Sequence, residues 1–67
     1  MSDVERISER LQDQAARLGE KITEAWQGAE DALDIGRDAD ARELITGAEH
    51  MEAEREIIQR TASNLAG

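Results

Sequence analysis

His50 is the only histidine in this 67-residue chain, and it is the side chain best suited to acid–base or metal chemistry. Glu54 follows it by four residues and Glu43 precedes it by seven, so a helix would carry all three on one face. A histidine and a carboxylate at this spacing can form half of a metal site, completed by a second chain. The Glu-x-x-His spacing of ferritin-like bundles is absent, because Gly47 occupies the position of that glutamate. We expect a solvated helix face, with no metal and no cofactor.

Covalent catalysis has equally little support in the sequence. It needs a hydroxyl or thiol beside a base, and the chain has no cysteine. Only Thr46 precedes His50 by one helical turn, whereas Ser2 has the position of a helix cap. Paired carboxylates can do acid–base work only where a pocket raises the pKa of one of them, and a short helical chain has little material for a pocket. The sequence therefore predicts no catalytic residue and no enzyme.

The elements that would position these residues are helices. Proline is absent, and apolar residues recur at intervals of three or four, which is the period of an amphipathic helix. The predicted apolar positions are Val4, Ile7, Leu11, Ala15, Leu18, Ile22, Ala25, Ala29, Leu33, Ala41, Leu44, Ala48, Met51, Ile58, Ala62 and Leu65, with Arg55 interrupting the second set. This pattern predicts an all-α fold, a hairpin of two antiparallel helices over about 3–34 and 39–65.

Local signals indicate where the helices begin and end. Residues 2–5 have the form of a capping box, and Asp40 offers a second acidic cap. Gly36 suits the left-handed position just past a helix end. Gly28 and Gly47 each cost about 1 kcal/mol in a helix interior, and residues 46–49 also have the form of a capping box. A three-helix form with breaks near 28 and 46 is therefore the alternative to the hairpin.

The chain is predicted to form one small acidic domain over residues 1–67, with too thin a core to be stable alone. One hairpin buries one seam. For a chain of this size, the free energy gained by burying apolar area is nearly cancelled by the conformational entropy lost on folding. Apolar residues off the main stripe, such as Ile35, Ile45 and Ile57, need cover. We expect a homo-oligomer or a subunit of a complex, in which dimerisation or a partner completes a bundle. The predicted oligomer or docking residues are Leu18, Ile22, Trp26, Leu44, Met51, Ile57 and Ile58.

Charge is distributed unevenly along the chain. Eleven of the sixteen acidic residues lie between Glu24 and Glu56, where only three arginines oppose them, so this stretch carries the whole formal charge of −8. Such a pole attracts basic partners and repels nucleic acid and anionic membranes. The N-terminus is charged within its first residues, and no apolar run approaches the roughly 20 residues of a membrane span. We expect a cytoplasmic protein that binds neither nucleic acid directly nor membrane.

The most specific short motif is Trp26-Gln27-Gly28, flanked by Ala25 and Ala29. It resembles the Trp-x-Gly turn of the WXG100 family, and the upstream spacing of Ala16, Leu18 and Ile22 is similar in character. That family consists of small acidic helical hairpins exported as dimers without a cleaved signal. The resemblance implies a turn at Trp26–Gly28 and a structural, self-assembling role.

Same-sign pairs at i, i+4 cost stability, and Glu20–Glu24, Glu30–Asp34 and Glu52–Glu56 are three such pairs. We interpret this repeated cost as a sign of a partner. The predicted function is that of a non-catalytic inhibitor or modulator, which docks as a nucleic-acid mimic on a basic surface of another protein. A self-assembling bundle is the alternative. The predicted partner-binding residues are Glu24, Glu30, Asp31, Asp34, Asp38, Asp40, Glu49, Glu52, Glu54 and Glu56.

Overall fold

The computed structural model describes residues 2–66, which form a helical hairpin. Helix α1 spans Asp3–Asp34 and helix α2 spans Asp38–Ala66. The two pack along their whole length in a rod of 51 × 15 × 12 Å. Both helices run unbroken through Gly28 and Gly47. The prediction of two antiparallel helices is therefore confirmed, and the three-helix alternative is not what the chain adopts.

The ends of α1 follow the chemistry of its terminal residues. The Ser2 hydroxyl accepts a hydrogen bond from the Glu5 backbone N–H at 3.2 Å, which caps the first turn. At the other end, the Arg37 N–H donates to the Ala32 carbonyl and the Gly36 N–H donates to the Leu33 carbonyl. Gly36 has φ of 78°, so it occupies the left-handed position of this Schellman ending, as the sequence predicted.

Helix α2 begins two residues earlier than its predicted acidic cap. The Arg37 carbonyl accepts the Ala41 N–H at 3.1 Å, so Asp38 and Asp40 both lie inside the first helical turn. Asp40 does not act as the cap, because the Schellman turn already returns the chain to helical geometry at residue 38. Its carboxylate instead pairs with Arg37 at 2.9 Å.

The seam between the helices consists mainly of small side chains. The buried residues are Ser8, Ala15, Ile22, Ala29 and Ala32 on α1, with Ala41, Ala48 and Ala62 on α2. Apart from Ala32 they recur at seven-residue intervals, which the exposed Arg55 interrupts on α2. The Ser8 hydroxyl donates to the Ala62 carbonyl at 3.4 Å, and Ala29 and Ala41 share one cluster. In both pairs, Ser8 with Ala62 and Ala29 with Ala41, the residue numbers add up to 70. The same antiparallel register places Ile22 opposite Ala48. Small side chains let two helices approach closely, since the distance between helix axes depends on the side chains at the contact.

This seam differs from the predicted stripe at several positions. The large stripe residues Val4, Ile7, Leu33, Leu44 and Leu65 are exposed, whereas Ser8 and Ala32, which the stripe omitted, are buried. Large side chains inside the seam would keep the two helices farther apart than its small residues allow. Among the residues off the stripe, Ile45 packs against the Ala29–Ala41 cluster, whereas Ile35 and Ile57 are 69% and 61% exposed.

Candidate functional site

Carboxylates from both helices converge at the end of the rod that contains the turn. We name residues 30–43 the acidic end. Its six carboxylates, opposed by Arg37 and Arg42 for a net charge of −4, are all exposed and belong to Glu30, Asp31, Asp34, Asp38, Asp40 and Glu43. At 1.5 Å of rise per residue, each lies within about 8 Å of its helix end along the axis. The hairpin thus concentrates charge that the sequence spreads over fourteen positions.

The electrostatics of the acidic end are unfavourable on its α1 side. The carbonyl end of a helix carries a partial negative charge, and the last turn of α1 contains no basic residue. Asp31 and Asp34 therefore lie where a carboxylate is disfavoured. Asp38 and Asp40 lie in the first turn of α2, where the helix dipole favours them. Only the Arg37–Asp40 contact pairs charges within residues 30–43, and both side chains in it are at least half exposed.

The remaining predicted partner-binding residues lie farther along the rod. Glu24 and Glu49 lie between the turn and the middle of the rod, Glu52 lies at its middle, and Glu54 and Glu56 lie towards the open end, where the helix termini meet. Glu52 accepts a hydrogen bond from the Trp26 indole at 2.8 Å, and Glu56 pairs with Arg60 at 2.7 Å. The fold therefore brings together five of the ten predicted carboxylates, not all of them.

Glu43 belongs to the acidic end, although it was not among the predicted partner-binding residues. With α2 beginning at Asp38, Glu43 lies beyond the first turn and its side chain is exposed. The many acidic residues near Glu43 in the sequence could have indicated that it belongs to this group. The Asp40-x-x-Glu43 spacing, which has the form of a cap, concealed that signal.

The predicted docking residues fall on different sides of the hairpin. Ile22 is buried in the seam, and Ile57 faces outward from α2. Trp26 is 37% exposed and meets Glu52 on one side. Leu18, Leu44, Met51 and Ile58 belong to the opposite side, together with three residues that the docking prediction omitted. We name this set the lateral face, and it comprises Val4, Leu11, Leu18, Leu44, Met51, Ile58 and Leu65.

The side chains that could do chemistry are engaged locally. The hydroxyls of Thr23, Thr46 and Thr61 each donate to the backbone carbonyl one turn earlier, at 3.1, 3.0 and 2.9 Å. Thr46 therefore directs its hydroxyl to Arg42, not to His50. Over residues 2–66, no group of three histidine or carboxylate side chains is placed to hold a metal ion. A depression of about 390 Å³ at the helix termini is an open groove lined by Ser2, Val4, Ser8 and Leu65.

Comparison with known proteins gives no match to a family model, a curated protein or a solved structure. Trp26-Gln27-Gly28 lies inside α1, so the turn implied by the resemblance to the WXG100 family is not at this motif. The chain turns instead at residues 35–37. Neither helix, over the part of the chain that the structure describes, contains an apolar stretch suited to crossing a membrane.

Proposed function

We propose that this chain is a non-catalytic interaction protein whose acidic end docks on a basic, nucleic-acid-binding surface of another protein. The carboxylates would take the places of phosphates against lysine and arginine side chains. The arrangement would make the chain an inhibitor or modulator of its target. In this proposal the chain does not bind nucleic acid itself.

The observation that carries the proposal is the placement of Asp31 and Asp34. Both carboxylates stand at the carbonyl end of α1 without a basic residue in that turn, and Glu30 adds a like charge four residues before Asp34. Each of these features disfavours the free protein. A cationic partner would convert the same charges into a source of attraction, and exposed charges of one sign also speed encounter with such a partner.

The experiment begins with affinity capture from the native host at low and high salt, followed by measurement of binding to the captured protein. Reversing charge at the acidic end, with Glu30→Lys and Asp34→Lys together, should weaken binding mainly through a slower on-rate. The Debye length falls from about 10 Å at 0.1 M salt to about 3 Å at 1 M, so affinity should fall steeply with salt. A nucleic-acid ligand of the target should compete.

The matched control is Glu5→Lys with Glu9→Lys. It changes the net charge equally and lies on the same helix, but at the open end of the rod. This control should weaken binding less than the reversals at the acidic end, because residues 1–23 are nearly neutral, with five acidic and four basic residues. If binding is indifferent to salt and to the reversals at the acidic end, yet is lost on substitution of Trp26 or Ile57, the chain is a hydrophobic docking module and the mimic proposal is wrong.

A structural role as a self-assembling bundle is the second candidate. The observation that favours it is the lateral face, which leaves Val4, Leu44 and Leu65 between 37% and 46% exposed along one side of the rod. A hairpin whose seam is mostly alanine buries little apolar surface of its own. A bundle completed by dimerisation or by a partner would bury this second row of side chains.

A further inference from the structure

We infer that the lateral face is the interface of a symmetric homodimer, in which a second copy packs antiparallel with its turn over the open end of the first. The inference concerns the side of the rod, not the acidic end, and it does not depend on the proposed docking function. It is carried by four observations: the side on which the apolar rows lie, the area of the face, the order of side-chain sizes and the distribution of charge.

Two rows of apolar residues lie on the same side of the hairpin. Seven-residue spacing keeps a row on one side of a helix, and α1 carries Val4, Leu11 and Leu18 while α2 carries Leu44, Met51, Ile58 and Leu65. Gly28 and Leu44 meet on this side, where a methyl group on Gly28 would lie 3.2 Å from the Leu44 Cδ1. The Trp26–Glu52 hydrogen bond marks the opposite side.

The area of the face matches what a stable dimer needs. The chain exposes 5186 Å², whereas a compact monomer of 7.4 kDa is expected to expose about 4,200 Å². The excess is about 1,000 Å². The side of the rod that bears the lateral face measures 51 × 15 Å, a projected area of roughly 750 Å², and each partner contributes about 800 Å² of accessible surface to a standard interface.

Side-chain sizes along the face favour a second copy of this chain over an unrelated helix. The α1 row continues from Leu18 to Ala25 and Ala32, so it is large near the termini and small near the turn. A copy related by a two-fold axis near Leu18 would place Leu11 against Ala25 of the second copy. On α2 the same axis would pass near Met51 and place Leu44 against Ile58 of the second copy. Such a self-complementary pattern is what a two-fold interface requires.

Charge selects the direction of packing. The half of the hairpin nearest the turn, residues 19–51, has nine acidic and three basic residues, for −6. The other half, residues 2–18 and 52–66, has seven acidic and five basic residues, for −2. A copy with its turn at the same end would bring the two −6 halves together. The antiparallel copy instead sets each −6 half against a −2 half, and it brings Arg10 within about one turn of Glu24 of the second copy.

The first test is the mass of the chain at micromolar concentration, by sedimentation and light scattering. We expect twice 7.4 kDa. Met51→Lys would place two like charges near the two-fold axis and should weaken association at least about tenfold, because it buries unpaired charge. Ile57→Lys is the matched control on the same helix, at an outward-facing position that is 61% exposed, and it should remain dimeric. A monomeric wild-type chain, or equal dissociation by the two variants, would overturn the inference.

The second test remains decisive if Met51→Lys fails to fold. The chain has no cysteine, so a single introduced thiol can be cross-linked without background. Disulfide formation requires Cβ atoms about 3.5–4.5 Å apart. Under mild oxidation Leu18→Cys should form a covalent dimer rapidly, while Ile57→Cys should not. A parallel copy would instead cross-link Leu18→Cys to Met51→Cys in a mixture of the two variants, and that result would refute the antiparallel arrangement.

Discussion

The glycines offer a quantitative test of the hairpin, because the same substitution should act in opposite directions at two of them. Gly19 lies inside α1, and a methyl group placed on it would be 3.7 Å from the Arg55 guanidinium carbon, an ordinary contact. Gly19→Ala should therefore stabilise the protein by about 1 kcal/mol, which is the difference in helix propensity.

Gly36→Ala should have the opposite sign. A residue with a Cβ atom loses about 1–2 kcal/mol of stability at the φ of 78° that Gly36 has. Alanine also lowers the conformational entropy of the unfolded chain, which offsets about 0.4–1 kcal/mol of that loss. The net expectation is a loss of about 1 kcal/mol. The two variants should then differ by about 2 kcal/mol, although neither alanine would clash with a neighbouring side chain.

Circular dichroism during heating and during urea titration would measure both changes. For a domain of this size, 1 kcal/mol corresponds to a shift in Tm of about 4–8 °C. All samples should have one protein concentration, since association alters apparent stability. If Gly36→Ala is as stable as Gly19→Ala, the turn is not at Gly36 and the register deduced from it fails.

Three further predictions concern packing and surface contacts. Ala48→Leu should cost about 1–3 kcal/mol in urea unfolding, because Ala48 is fully buried opposite Ile22 and a larger side chain would overpack the seam; an unchanged midpoint would show that the helices are farther apart. Trp26→Phe removes the hydrogen bond to Glu52 at an exposed site and should cost no more than about 1 kcal/mol, and a larger loss would indicate that the indole is buried in an assembly. Ile22→Asp should abolish helical circular dichroism, whereas Ile57→Asp should leave it unchanged; equal effects would show that the seam is misassigned.

The helices were predictable because local signals agreed with one another. The period, the Ser2 cap and Gly36 indicated the two ends of α1 and the position of the turn, and the structure has the helices at Asp3–Asp34 and Asp38–Ala66. Only the Asp40 cap indicated a later start for α2. Gly28 and Gly47 left the three-helix form open in the sequence. The helices continue through both, since about 1 kcal/mol for each glycine is small beside a seam that packs on either side of them.

The side of each helix that packs inward was harder to predict than its length. Apolar periodicity weights large residues, so it placed Ile7 and Leu33 in the stripe and passed over Ser8. Close approach of two helices rewards small residues, and the Ser8 hydroxyl is satisfied by a carbonyl that only the partner helix supplies. The acidic end was visible as a charge imbalance, but its convergence depended on knowing that the single turn lies at residues 35–37.

The register of the seam also determines the order in which this chain can fold. Ala29 and Ala41 are separated by 12 residues, whereas Ser8 and Ala62 are separated by 54. Closing the short loop costs the least entropy, and each further pair then extends an existing contact at small added cost. We therefore expect folding to proceed from the turn towards the termini. Its first step brings together the most mutually repulsive part of the chain, so the refolding rate measured by stopped flow should rise with salt.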